Sequence, residues 1–325
     1  MPNYTPPYTI TTKILKLSTQ ISEELTKLKY TGESKTHPML RKKNRIKTLA
    51  GTLEIEGNFL GEEKITAILD GKRVLGSVKE LAEVEGAIKA YEKLEEYRYD
   101  ELDDLLSAHK ILMDGILKTA GSFRGVNVQV GEHIAPQPDM VSNLMTKLFT
   151  WLKNSDEHML LKSCIFHYEF EFIHPFSDGN GRIGRLWQSV ILNSYNPLFS
   201  LLPIESIVRD HQEEYYKAIE RSTEAGQSTP FIEFMLEMIL KSMQHMNNDV
   251  PRNVPKNVPI KRLDKIVELV AKNKDITIVE LAQLLEVSDK TIKRDIAKLK
   301  EQNRLTRVGS LKSGYWEIIS EMETK

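Results

Sequence analysis

Apolar residues recur along most of this chain with a period of three to four. Leu144, Leu148, Trp151 and Leu152 share one helix face, with Asp139 or Ser142 placed to cap it. Phe231, Phe234, Met235, Met238 and Ile239 form a second stripe behind Pro230, and at this spacing Met and aromatic side chains read as core packing. Ile14, Leu17, Ile21, Leu25 and Leu28 make an amphipathic helix within residues 1–40, suited to covering a core or pairing with another chain. Residues 160–173 are long and apolar enough for a buried helix. Their last part, Phe166 to Phe172, also alternates, so periodicity alone leaves a strand open. Val126, Val128 and Val130 alternate with Asn127 and Gln129 between Gly125 and Gly131, the pattern of a short strand or hairpin. The expectation is a mainly α-helical body carrying one small β-hairpin.

Residues 250–259 read VPRNVPKNVP, and three Val-Pro pairs predict an extended linker rather than a helix. The expected division is a helical extension (1–40), a body (41–249), this linker, and a tail domain (260–325). In the tail, Leu263, Ile266, Val267 and Val270 mark one helix. Thr277 caps a second carrying Val279, Leu281, Ala282 and Leu285, and Ser288 opens a third. RLTRVGSLKSGYWEI then alternates around Gly309 and Gly314 as a two-stranded wing would. The pattern resembles a winged helix-turn-helix, with Lys290, Thr291, Lys293 and Arg294 near the start of the candidate recognition helix. Residues 256–325 hold 15 Lys and Arg against 11 Asp and Glu, a net +4 that is modest for a DNA reader, and Asp289 and Asp295 dilute the helix. DNA and protein both remain partners for this domain.

Composition narrows the classes. The chain has 325 residues, 40% of them hydrophobic and 28% charged, enough to build a core and unlike a disordered chain. No apolar run reaches the ~18 residues of a membrane span. The opening MPNYTPPYTITTKILKL lacks the basic-then-apolar order of a secretory signal. The one cysteine, Cys164, forms no internal disulfide and no four-ligand zinc site, pointing to a reducing cytoplasm. A net charge of −1 excludes a bulk nucleic-acid sponge.

Chemistry concentrates in residues 174–185, HPFSDGNGRIGR. Pro175 disfavours α conformation at His174, so an element ends there. Asp178-Gly-Asn-Gly is turn chemistry in which backbone N–H groups converge, and from Arg182 onward the chain reads as a helix. A glycine-rich turn entering a helix start favours an anion. Arg182 and Arg185, three apart, can fork onto phosphate oxygens; Asp178 is a hard ligand suited to Mg²⁺; His174 can accept a proton near neutral pH. Each feature alone has an ordinary structural explanation, but together they point to phosphoryl or nucleotidyl transfer. Gly179-x-Gly181-x-x-Gly184 also fits a dinucleotide fingerprint, with Glu205 about twenty residues on. His-Pro-Phe-Ser-Asp interrupts the strand that fingerprint requires, and no P-loop motif occurs.

The same string resembles the signature of the Fic family, H-x-F-x-(D/E)-G-N-G-R-x-x-R, at His174, Phe176, Asp178, Gly179, Asn180, Gly181, Arg182 and Arg185. Residues 121–141, GSFRGVNVQVGEHIAPQPDMV, resemble the family's target-binding flap, and residues 211–219, HQEEYYKAI, its nucleoside-contacting stretch. The resemblance covers roughly residues 40–245. It implies a helical Fic fold and transfer of AMP from ATP to a Tyr, Thr or Ser hydroxyl of a target protein, self-modification included. By it His174 is the base, and Asp178 holds Mg²⁺ on the α- and β-phosphates. The Gly179–Gly181 amides with Asn180 form the anion hole, and Arg182 and Arg185 grip the β- and γ-phosphates. Val128, Gln129, Val130 and Gly131 align the target and border the nucleotide, while Tyr215 and Tyr216 contact the nucleoside.

Residues 52–57, TLEIEG, match the family's inhibitory motif (S/T)-x-x-x-E-(G/N) at Thr52, Glu56 and Gly57. A carboxylate paired with Arg185 competes with the γ-phosphate for one guanidinium and repels the triphosphate. The plain alternative is an exposed Glu56 before a Gly57 helix cap. Two further functions stay open at this stage: removal of AMP, with Glu56 orienting a water, and a DNA-binding regulator that uses the core as a sensor.

Overall fold

Residues 159–173, where periodicity left helix and strand open, form a helix in the computed structural model. Twelve of its fifteen side chains are buried, from Leu160 to Ile173. A helix enclosed on all sides needs no polar stripe, so its 3.6-residue period fades and short stretches alternate by chance. The structure describes residues 4–30, 38–130, 133–249, 258–285, 287–302, 304–309 and 314–319. It divides into two units, Met1–Val250 and Pro251–Lys325.

The first unit is mainly α. In chain order its helices are α1 (Thr12–Tyr30), α2 (Pro38–Ile55), α3 (Gly61–Leu69), α4 (Val78–Glu92), α5 (Leu102–Leu112), α6 (Pro138–Asn154), α7 (Met159–Ile173), α8 (Asn180–Tyr195), α9 (Ile204–Asp210), α10 (Gln212–Ala225) and α11 (Thr229–Asp249). Between α5 and α6, β1 (Gln129–Val130) pairs antiparallel with β2 (His133–Ile134), Gln129 opposite Ile134. Helix α7 is the axis, packed by α6, α8 and α11. Helix α1 lies along α11 and buries Ile14, Leu17, Ile21 and Leu28 in the shared core, so the amphipathic face of the extension covers this chain's own core.

Several local expectations shift. Helix α6 starts at Pro138 with Gln137 as N-cap, so Asp139 lies in the first turn and Ser142 inside the helix. Proline at the first helical position loses no hydrogen bond and presets φ, which moves the start forward. Helix α8 starts at Asn180, two residues before Arg182, because Gly179 takes the left-handed conformation and ends the turn early. The hairpin is shorter than the valine alternation: Val126 is exposed and Val128 precedes β1.

The second unit holds α12 (Val258–Lys272), α13 (Ile278–Leu284), α14 (Asp289–Glu301) and an antiparallel pair, β3 (Leu305–Val308) with β4 (Tyr315–Ile318). Thr277 caps α13 in a reciprocal capping box with Glu280, and Ser288 caps α14. Leu263, Ile266, Val270, Leu281, Ile292, Ile296, Leu299 and Trp316 close the core. Val279 is exposed rather than in the core, and Asp295 is buried rather than on the surface of α14. Residues 258 and 259 belong to the first turn of α12, where proline is tolerated, instead of the extended linker. The rest of that linker, Gly131 and residues 310–313 lie outside the described residues.

Candidate active site

The loop between α7 and α8 is held from three sides. His174 ends α7 in the left-handed conformation, φ 49° and ψ 61°, the only non-glycine residue with positive φ among those described. Such a conformation costs about 1–3 kcal/mol and persists only where neighbours impose it. Arg124 is that neighbour. Its buried guanidinium donates to the carbonyls of His174 (2.8 Å), Ile173 (3.3 Å), Val126 (2.8 Å) and Pro136 (2.6 Å), and its backbone N–H to Pro175 (2.9 Å). One side chain thus ties the end of α7 to both flanks of the hairpin. Phe176 is buried beneath His109, the rings stacked 3.6 Å apart. His109 Nδ1 accepts the Gly121 N–H (2.9 Å), so Nε2 carries the proton and donates to the Asp178 carbonyl at 3.0 Å. Burial holds its pKa down to about 4, which keeps this brace neutral.

Helix α8 opens directly from this loop. Gly179 has φ 82°, and a Cβ there would lie 2.6 Å from Met113 Sδ, so only glycine serves. Asn180 turns its side chain back onto Phe176, accepting from the N–H at 2.9 Å and donating to the C=O at 2.8 Å. Its side chain thereby fixes the loop, and what it offers to an anion is backbone. Asp178 is 46% exposed; its Oδ1 accepts the Gly179 N–H at 2.6 Å and meets Arg182 Nη2 at 3.3 Å. The other end of the Arg182 guanidinium, at Nη1, pairs with Glu83 of α4 at 3.1 Å. Both arginines read as phosphate ligands are buried, not on a solvated face. No group of three or more metal-ligating side chains occurs among the described residues. Asp178, an accessible hard carboxylate beside an amide-lined helix start, fits a Mg²⁺ that takes its other ligands from phosphate and water.

Arg185 is held by residues of α2 and the turn that ends it. Its Nε donates to Thr52 Oγ1 (3.1 Å), and Nη2 donates to the Thr52 carbonyl (3.1 Å) and to Glu56 Oε1 (2.7 Å). Burial alone would lower the pKa of Arg185, but the Glu56 carboxylate more than offsets this and raises it. Glu56 is held by the end of α2, where its N–H bonds the Leu53 carbonyl, the Gly57 N–H bonds Glu54, and Gly57 has φ 86°. Gly57 is therefore a helix cap, and the capped turn places the Glu56 carboxylate against Arg185. The carboxylate sits over the first turn of α8: a Cβ on Gly181 would collide with Glu56 Oε1 and come within 3.0 Å of Arg185 Nη1.

Beneath the site lies Glu171, a residue the sequence reading did not single out. Its Oε2 is 3.8 Å from His174 Nδ1 and its Oε1 3.8 Å from His167 Nε2. His167 donates through Nδ1 to Gln188 (2.8 Å) and accepts the Tyr215 hydroxyl at Nε2 (3.1 Å), so it has no proton for Glu171. Burial raises the Glu171 pKa to about 8, Arg185 opposing and Glu56 adding to the rise.

His174, Gly181, Arg185 and Glu56 open onto a cavity of about 750 Å³. Tyr215 and Tyr216 line its far wall, Tyr215 buried and Tyr216 48% exposed. The volume suits a nucleotide. Asp178, Arg182, Val128 and Gln129 lie outside the cavity lining. Arg124, His109 and Glu83 escape sequence reading because each acts on segments distant along the chain, and Glu171 because its acid lies within a helix buried on all sides. The one local cue was an arginine between Phe123 and Gly125, inside the flap-like stretch.

Residues 99–192 match the model of the Fic/DOC family, and residues 262–310 that of a DeoR-like helix-turn-helix domain. A solved structure of a Fic family protein from Desulfovibrio desulfuricans G20 is 36% identical with a TM-score of 0.76, covering 99% of this chain and all of that one. "Protein adenylyltransferase Fic" of Culex quinquefasciatus is 29% identical over 227 residues, 63% of this chain and 44% of its own length. "Protein adenylyltransferase fic-1" of Caenorhabditis elegans is 30% identical over 209 residues, 59% of this chain and 39% of its own. The chain thus spans less than half the length of the curated relatives it matches. Matched from end to end by a Fic protein, and bearing the histidine, glycine turn and arginine pair on one loop and helix, this chain belongs to the Fic/DOC family, with a DeoR-like helix-turn-helix domain in its second unit.

Proposed function

We propose that this chain is a self-inhibited protein adenylyltransferase that moves AMP from ATP onto a hydroxyl side chain of a protein. The observation that carries the reading is the Glu56 carboxylate on Arg185, over the first turn of a helix built to receive an anion. The names of the relatives support the donor and the reaction class. Tyr215 and Tyr216 hold the nucleoside end, while the backbone of Gly179 to Gly181 and the two arginines hold the phosphates. Asp178 would hold Mg²⁺, which supplies charge neutralisation on the phosphates. His174 takes the proton of the incoming hydroxyl; that oxygen bonds the α-phosphorus as the bond to pyrophosphate breaks. The Val128–Val130 side of the hairpin, tied by Arg124 to His174, aligns the target segment with the base. Glu56 must leave Arg185 before a γ-phosphate can take its place.

The test uses Glu56→Gly with ATP labelled on the α- or the γ-phosphate, and the chain itself as first target. Retention of the α label alone is expected, faster than in wild type. Retention of the γ label would refute AMP transfer; equal rates in both proteins would refute inhibition by Glu56.

A second activity is proposed for the second unit: DNA binding through α14, favoured by exposed Lys293 and Arg294 and the DeoR-like match.

A further inference from the structure

Arg182 and Arg185 are each held by a carboxylate from the α2–α4 stretch, and the second of these, Glu83, has no place in the family signature quoted above. Glu83 is a buried acid on α4. Its Oε1 accepts from Arg182 Nη1 at 3.1 Å, with the exposed Lys79 Nζ 3.9 Å away, and its Oε2 accepts from Asn58 Nδ2 at 2.9 Å. Asn58 is itself buried and stands two residues after Glu56. Its amide is fixed in orientation: Oδ1 accepts the Leu60 N–H (3.3 Å), Nδ2 also donates to the Glu80 carbonyl (3.1 Å), and its own N–H bonds the Leu53 carbonyl (3.0 Å). The turn that delivers Glu56 is therefore bonded through Asn58 and Glu83 to the other phosphate arginine.

We propose that Glu83 is a positioning residue that seats Arg182 and, through Asn58, locks that seat to the turn carrying Glu56. This rests on the reading of Glu56 given above. In this latch Glu56 withdraws together with the turn at residues 56–58, and a move of Asn58 strips a buried carboxylate of a donor. Glu83 then keeps Arg182 and the more distant, exposed Lys79, so freeing Arg185 and tightening the hold on Arg182 become one event. A hydrogen bond to a buried charge is lost at a cost that corresponds to roughly ten-fold or more in the open population.

Two variants break the latch without touching the nucleotide site. Asn58→Ser removes the donor, and Asn58→Asp sets a carboxylate against Glu83. Both are expected to raise AMP transfer about ten-fold or more and to speed amide hydrogen exchange at residues 53–58. Asn58→Ser is expected to add nothing in the Glu56→Gly background. Glu83→Gln should slow exchange again in Asn58→Asp, because an amide can donate to the new carboxylate. For the seat itself, Glu83→Leu with Glu56→Gly should lower kcat/KM for ATP about ten-fold, with Glu83→Gln recovering most of it by keeping an acceptor for Arg182. Wild-type rates and exchange in both Asn58 variants, alongside a faster Glu56→Gly, would overturn the latch alone. A Glu83→Leu that matches its parent would overturn the seat. A Glu56→Gly no faster than wild type would overturn the reading beneath both.

Discussion

Replacing Arg124 by Met keeps the length of the stem and deletes the guanidinium that holds His174 in place. The loss can be worked from its partners. Four carbonyls lose a charged donor, those of His174, Ile173, Val126 and Pro136. The Ile173 and His174 carbonyls end the buried helix α7, whereas the hairpin carbonyls can regain water. Counting only the two at the helix end, at about 1.5–3 kcal/mol each for a bond to a charged group, gives a loss of about 3–6 kcal/mol. Release of the left-handed His174 returns about 1–3 kcal/mol, leaving a net destabilisation of about 3 kcal/mol. For a unit of this size that is a fall in Tm of about 6–12 °C. Activity should suffer more than stability, because the relaxed backbone carries the base out of line and a 1 Å displacement can cost about a hundred-fold. The assay is calorimetry together with AMP transfer in the Glu56→Gly background, at a temperature where both proteins are folded. A variant that melts within about a degree of its parent and transfers AMP at the same rate would refute the role given to Arg124.

Glu171 has its pKa raised from an ordinary 4.5 to about 8, so between these values the folded chain binds more protons than the unfolded one and stability falls as pH rises. Glu171→Gln should thus gain in Tm over wild type progressively from about pH 4.5 to 8, and a gap independent of pH would contradict the assignment. Gly179→Ala meets both a left-handed backbone and Met113, and should cost about 1–3 kcal/mol in chemical denaturation; a neutral result would mean the turn is not held as described. Lys293→Glu with Arg294→Glu should abolish a gel shift whose affinity falls steeply with salt, while leaving AMP transfer unchanged; a shift that survives the double change would place DNA contact elsewhere.

The legible parts of this molecule are those whose cause is local. Pro175 announced the end of α7 at His174, Thr277 and Ser288 announced helix starts, and the spacing at Ile14, Leu17, Ile21 and Leu28 announced a face that the core covers. What the sequence concealed depends on burial and distance. Helix α7 hid its period by being enclosed, and Asp295 read as a surface charge though it is buried. Arg124 is 50 residues from the His174 carbonyl it holds and Glu83 is 99 from its arginine, separations at which no spacing rule operates. The Glu56 to Arg185 pair, 129 residues apart, was foreseeable only through a motif resemblance.

In the proposed function His174 is the base of an AMP transfer that Glu56 restrains through Arg185. Intact mass after incubation with Mg²⁺ and ATP tests it most directly, on wild type, Glu56→Gly, and Glu56→Gly with His174→Ala. A gain of one or more AMP units is expected on Glu56→Gly, little on wild type and none on the double variant. Equal gains on all three would contradict it, since neither the carboxylate nor the histidine would then control the reaction.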